Sequence, residues 1–332
     1  MSIPRHVFDQ TVASLFAPVV AYLEGDAVSE IMINGHREIY VETEGRLHLT
    51  GSRFASEHDL MSALRNLSQF VGRELNAHQP ILEARLPDGS RVEAIIPPAS
   101  PSGPVVSIRR FRRQQLTLER LVELGAVSRD TAPLLRSIIG RKYNVIVAGG
   151  SGSGKTSLLN ALASLAADDE RVVVIEDSQE LQVQLPHVVQ LEAQPADARG
   201  RGSVSIRDLF RATLRMRPDR IVIGEIRGGE ALDLIQAMTS GHRGCLSTVH
   251  ATLPIDTLSR LETMALMSDV DVPLNVLRAQ IASAVDFIVQ VSRCSDGFRQ
   301  VTYVSQILGH DGHAGYRIEH LFERPTDLGG GE

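Results

Sequence analysis

The run Gly149-Gly150-Ser151-Gly152-Ser153-Gly154-Lys155-Thr156 constrains the chain more than any other feature. It satisfies G-x-x-x-x-G-K-[ST] in full. An apolar segment that reads as a strand, 144–148, leads into it, and a segment that reads as a helix, 157–165, leads out. Glycines at these spacings let backbone N–H groups converge on phosphate oxygens, and the helix N-terminus adds a favourable partial charge. Gly149 through Thr156 with Ser157 are therefore the candidate nucleotide-binding residues. Lys155 is expected to reach the β- and γ-phosphates and the Thr156 hydroxyl to ligate Mg²⁺.

A loop of this kind needs a sheet to stand on. From residue 143 onward, short apolar runs at 145–148, 172–175 and 221–223 alternate with helical segments. That alternation predicts a parallel sheet with crossover helices. Upstream, 12–23 and 57–71 have helical periodicity. Strand-like stretches at 30–34 and 39–43 flank a turn at Asn34-Gly35, with Gly45 in the next turn, and a strand pair flanks Pro87-Asp88-Gly89. These predict a small α+β domain over 1–104. A basic hinge follows at 105–117, opening with a strand at 105–108, and a P-loop ATPase domain spans 118–332, its terminal Gly329-Gly330-Gly331 frayed.

Hydrolysis needs a positioned water and a metal anchor, and two acidic groups end predicted strands. Glu176 and Asp177 follow 172–175, with Glu180 just beyond, and Glu225 follows 221–224. In an open parallel sheet, groups at strand C-terminal ends face the ligand crevice. Gly224 stands where an aspartate is usual, so Glu225 alone is expected to activate or orient the water, directly or through Mg²⁺. Glu176 and Asp177 would share the metal or water shell, giving Thr156, Glu225 and Asp177 as metal candidates. His250 ends another predicted strand, 246–249, and is placed to sense the γ-phosphate. For each acid the competing reading is a solvated loop carboxylate.

Composition narrows the partners. The net charge of −6 and the 4% aromatic content, with no Trp, argue against a nucleic-acid partner. Basic residues cluster at Arg109, Arg110, Arg112 and Arg113, as a solvated linker or as a functional group. No apolar run approaches the roughly 20 residues needed to span a bilayer. The first fifteen residues have no signal-peptide pattern, and Cys245 and Cys294 have no metal-ligand spacing. A cytoplasmic protein that reaches a membrane through partners is expected.

Four segments in order, the P-loop, Val174-Ile175-Glu176-Asp177-Ser178-Gln179-Glu180-Leu181, Met216 through Gly228, and Ser247-Thr248-Val249-His250-Ala251, resemble the Walker A, Asp box, Walker B and His box of the type II/IV secretion ATPase superfamily. Val28 through Gly35, Ala84 through Arg91 and Leu258 through Met264 are most similar to CpaF/TadA-type ATPases of Tad (type IVc) pili. The chain departs from that group in its short N-terminal region, in Ser151 and Ser157, and in Thr252 after His250-Ala251. Conjugation-type ATPases are equally compact. The resemblance implies an N-terminal domain, a RecA-like C-terminal domain, a homohexamer, and inner-membrane platform partners on the cytoplasmic face. It also implies arginines from the N-terminal domain or linker that reach the phosphates, with Arg109 first, then Arg91 and Arg85, and Arg110 beside it. The alternatives are a conjugation-type traffic ATPase, a nucleotide-gated scaffold, and a DNA-acting RecA-like ATPase.

Overall fold

The computed structural model describes residues 14–25, 27–43, 46–86, 89–110, 116–194, 196, 200–294, 297–312 and 315–324. Gly45, Pro87, Asp88, Arg112, Arg113 and Gly329 to Gly331, singled out above, lie outside them, as do residues 12 and 13 of the first helical pattern and 111–115 of the hinge. The chain forms two compact units that divide between residues 110 and 116.

The N-terminal unit is built on six strands: β1 (Val28–Asn34), β2 (Glu38–Thr43), β3 (Arg46–Leu49), β4 (Ile81–Arg85), β5 (Arg91–Ile95) and β6 (Val105–Arg109). They form one antiparallel sheet in the order β3-β2-β1-β6-β5-β4. The Asn34-Gly35 turn joins β1 to β2, with Asn34 opposite Glu38 and Gly35 at φ +64°. Helices α1 (Ala17–Glu24) and α2 (Glu57–Phe70) belong to the same unit. Ser56 caps α2 by accepting the Asp59 N–H, and the helix buries Leu60, Ala63, Leu64 and Leu67 in one core with Ile31, Ile33 and Ile108. The hinge span 105–117 therefore opens inside this unit, because β6 lies between β1 and β5.

The C-terminal unit carries α3 (Leu118–Glu123), α4 (Thr131–Gly140), β7 (Val145–Gly149), α5 (Lys155–Ala163), β8 (Val172–Glu176), β9 (Val188–Glu192), α6 (Ile206–Thr213), β10 (Arg220–Ile223), α7 (Glu230–Thr239), β11 (Leu246–His250), α8 (Pro254–Leu266), α9 (Leu274–Ala284), β12 (Phe287–Arg293), β13 (Arg299–Asp311) and β14 (Gly315–Glu323). One sheet runs β14-β13-β12-β7-β11-β10-β8-β9. The pairs from β12 to β9 are parallel, as the apolar runs predicted, while β12, β13 and β14 pair antiparallel. Every residue of β7, β8 and β10 is buried, because helices cover both faces. One core packs α7, α8 and α9 on one face, and a second packs α3, α4 and α5 on the other.

A buried ion pair ties the start of β10 to its neighbours. Arg220 donates from Nε to Glu170 Oε2 at 3.1 Å and from Nη2 to Glu170 Oε1 at 3.3 Å, and it also reaches the carbonyls of Gly244 and Ile139. Burial alone would push the Glu170 carboxyl up, but the hydrogen bonds and charge of Arg220 outweigh it and hold the carboxyl below the usual carboxylate range. A depressed folded value stabilises above the unfolded pKa, roughly 4.3, and that contribution is lost as pH falls through the folded value. Glu170→Ala leaves a buried guanidinium without its counter-ion and is expected to cost about 3–5 kcal/mol. Urea unfolding checks this, and Glu170→Met/Arg220→Met should recover most of the loss.

Candidate nucleotide site

Three adjacent strands bring the site together. β7 ends in the glycine-rich loop, β11 beside it ends at His250, and β10 beside that leads into Glu225. The register sets His250 opposite Gly149.

Backbone crowding explains the first glycine of the loop. A Cβ at Gly149 would lie 2.4 Å from the Val291 carbonyl oxygen and 2.5 Å from Ser153 Oγ, so no other residue fits. Gly154, at φ +97°, turns the chain into α5. Ser153 Oγ donates to the Gly150 carbonyl at 2.9 Å, folding the loop on itself. Gly150, Ser151 and Gly152 have open space around them, while Thr156 and Ser157 are half-buried on the first turn of α5.

Lys155 is 7% exposed, and its Nζ donates to the Gly150 carbonyl at 2.8 Å. Burial lowers its pKa, and the charge of Glu225 opposes that shift. The same Nζ lies 3.3 Å from His250 Nδ1, and His250 Nε2 lies 2.8 Å from Glu225 Oε1. These partners define the tautomer: Nδ1 accepts from the ammonium and Nε2–H donates to the carboxylate. Burial, then the Lys155 charge, pulls the His250 pKa below its ordinary value, which keeps the imidazole neutral at pH 7. Arg227 completes the chain, donating to Glu225 Oε2 at 2.6 Å and lying 3.8 Å from Asp177.

Glu176 does something different from the neighbouring acid. It is buried, and its Oε1 accepts the backbone N–H groups of Glu180 and Leu181, both at 2.9 Å. A Cβ on Gly224 would meet Glu176 Cγ at 3.0 Å. The space that an aspartate side chain would fill at the end of β10 is therefore occupied by Glu176 from β8. Asp177 is exposed, and Glu180 is half-buried. Among the described residues no three His, Cys, Asp or Glu side chains gather as a metal-binding group. The donors available are oxygens, namely the Thr156 hydroxyl and the Glu225 and Asp177 carboxylates. They suit a hard cation that takes its remaining ligands from phosphate and water. A cavity of 530 Å³ opens beside the loop, lined by Gly150, His250, Thr252, Asp256 and Arg260.

Arg109 belongs to the N-terminal unit. It ends β6 opposite Arg91 on β5, and Arg91 is in turn opposite Arg85 on β4, so the three candidate arginines share one rung of that sheet. Glu30, on the other side of Arg109, is held by Ser107 Oγ at 2.6 Å. Arg110 is tied down, donating to the carbonyls of Gly25 and Val28.

The sequence matches the type II/IV secretion system protein family over residues 13–315. The chain belongs to that family. It is 33% identical over 296 residues to a putative conjugal transfer protein of Mycobacterium tuberculosis, covering 87% of this chain and 84% of that one. It is 31% identical over 310 residues to the conjugal transfer protein TrbB of Rhizobium radiobacter, covering 92% and 91%. The type IV secretion system protein PtlH of Bordetella pertussis is 33% identical over 297 residues, covering 82% and 87%. Among solved structures, the pilus retraction motor PilT superposes with a TM-score of 0.60 at 16% identity, over 94% of this chain and 83% of that one. The ATPase DotB of Legionella pneumophila does so with a TM-score of 0.58 at 18% identity, over 90% and 80%. The fold is thus that of the secretion and pilus ATPases.

Arg227 is the site residue that sequence reasoning passed over, although it stands two positions after Glu225 in a quoted motif. It stands with Glu225 in the irregular stretch after β10, where no strand or helix period pairs the two. Filling the space at Gly224 tests the packing described above. Gly224→Asp would push against Glu176 and is expected to lose about 1–3 kcal/mol of stability. Thermal unfolding reads this, and an unchanged midpoint would mean that the space is free.

Proposed function

We propose that ATP binds with its triphosphate over Gly149 to Ser157 and that Glu225 orients the attacking water, so that turnover drives a secretion or pilus machine. The observation that carries this reading is the unbroken chain Gly150–Lys155–His250–Glu225–Arg227 across three neighbouring strand ends. In it every group that hydrolysis needs is held by another protein group. The Gly150 carbonyl and His250 occupy the Lys155 ammonium, as phosphate oxygens would. His250 and Arg227 occupy the two Glu225 oxygens. Phosphate at the loop would draw Lys155 away, and a shift of the imidazole proton from Nε2 to Nδ1 would let His250 donate to the γ-phosphate and free Glu225 to turn to water. When bound, Mg²⁺ supplies charge neutralisation between the phosphates, and Thr156, Glu225 and Asp177 are the residues that would hold it.

The arginine rung supports a role for Arg109, Arg91 and Arg85 toward the phosphates. We infer a homohexamer working on inner-membrane platform proteins from the cytoplasmic side. Among the described residues no helix is long and apolar enough to cross a membrane. Within the family, the segments around Ile31, Asp88 and Arg260 favour a Tad-type pilus motor. The names of the relatives from Rhizobium and Bordetella favour a second reading, a conjugation-type traffic ATPase. Assays for pilus extension and for substrate transfer in a deletion strain separate the two.

Lys155→Ala is expected to abolish ATP turnover. Glu225→Gln should keep nucleotide affinity within a few-fold while kcat falls by about 10² or more. Equilibrium binding of a fluorescent ATP analogue beside a phosphate-release assay measures both, and full turnover by Glu225→Gln would remove Glu225 from this role. His250→Ala takes away both the Lys155 acceptor and the Glu225 donor, so kcat should drop by at least about tenfold with KM little changed.

A further inference from the structure

The same three strands have a second set of ends. At the edge opposite the glycine-rich loop, the residues leading into β7, β10 and β11 enclose a cavity of 410 Å³. Lys142 comes from the approach to β7, Arg217, Asp219 and Arg220 from the approach to β10, and His242 and Arg243 from the approach to β11. Each strand between the two edges is four or five residues long, so roughly 15 Å of sheet separates this cavity from the loop.

Charge in the cavity is unbalanced. Four cations line it with one carboxylate, Asp219, whose Oδ2 accepts the Arg171 N–H at 2.9 Å. Behind the wall a single acid, Glu170, serves both Arg220 and Lys142. Asp286, which feels the charge of Arg243, already accepts the Asn144 N–H at 2.8 Å. Arg217 and Arg243 are exposed, and neither has an ion pair among the described residues. His242 Nδ1 is buried and has no hydrogen-bond partner among the described residues.

The backbone points to the same place. Among the described residues, Lys142 at φ 56° and Arg217 at φ 53° are the non-glycine residues with left-handed backbone. That conformation is disfavoured wherever a Cβ is present, and glycine would adopt it freely. Both positions carry long cations instead, and both line this cavity. Residues of this kind persist where the surrounding structure holds them, as the cap after α4 holds Lys142 through its N–H to the Ile139 carbonyl.

We propose that this cavity is a second oxyanion site, built for a phosphate group bearing two or more negative charges and separate from the nucleotide's own. Arg217 and Arg243 supply charge-assisted donors in planar forks, and His242 supplies an N–H from Nδ1 when the anion is present. Arg220, fixed by Glu170, forms the rigid floor. A soluble phosphate compound and a lipid headgroup present the same chemistry to these residues.

The test uses full-length Lys155→Ala protein, in which the glycine-rich loop is crippled, and inorganic pyrophosphate as the probe. Calorimetric titration should show one binding event, weakened at least about tenfold when Arg217→Gln and Arg243→Gln are added. Arg65→Gln, an exposed change on α2, should leave it unaltered. With Lys155 intact, the Arg217→Gln/Arg243→Gln protein should still bind an ATP analogue, which shows that it folds. Absence of binding in the Lys155→Ala protein, or equal binding with both arginines removed, overturns the proposal. Phosphatidic acid vesicles, whose headgroup is a phosphomonoester, would assign the site to a headgroup if they displace pyrophosphate and to a soluble anion if they do not, either result upholding the site.

Discussion

Parallel pairing of β7, β11 and β10 is the constraint on which the rest of the C-terminal unit depends. Parallel strands end on the same edge, so three chain segments far apart in sequence deliver their terminal residues to one line. The register puts His250 beside Gly149, and the next strand brings Glu225 within 2.8 Å of the imidazole. Helices on both faces keep this sheet dry. That explains why β7, β8 and β10 are apolar throughout and do not alternate.

Within that frame, packing decides the division of labour among the acids. Glu176 and Glu225 both follow buried strands, and by sequence they look equivalent. Glu176 turns inward, holds two backbone N–H groups and fills the space above Gly224. Glu225 is left as the carboxylate that faces Lys155 through His250, with Arg227 on its other oxygen. The missing aspartate at Gly224 thus has a steric cause. The lysine, imidazole, carboxylate and guanidinium of the site satisfy one another.

The N-terminal unit adds its own electrostatic feature. Arg85 and Arg91 face each other across one hairpin, and antiparallel pairing of β5 with β6 brings Arg109 onto the same rung. Arg110, adjacent to Arg109 in the chain, points its guanidinium at two backbone carbonyls instead. Arg110 follows the last residue of β6, and its own N–H bonds the Ser29 carbonyl.

Much of this was legible in the residues themselves. The loop from Gly149 to Thr156, the buried strands after it, the Asn34-Gly35 hairpin and the helix after Ser56 follow from local rules of backbone freedom and periodicity, which act over a few residues. The antiparallel addition of β13 and β14 was not legible, because alternating stretches there could pair with either edge of a sheet. Arg227 was passed over for a similar reason: its meaning lies in a contact with Glu225 and Asp177, and spacing alone does not orient a side chain. The sequence by itself determined that a phosphate-binding loop sits on a parallel sheet, since glycine spacing and apolar runs need no distant partner. Tertiary structure alone decided which carboxylate is buried, which arginines share a rung, and that cations from three strand approaches enclose one cavity. Those outcomes depend on register and on competition for space between segments that meet only when the chain is folded.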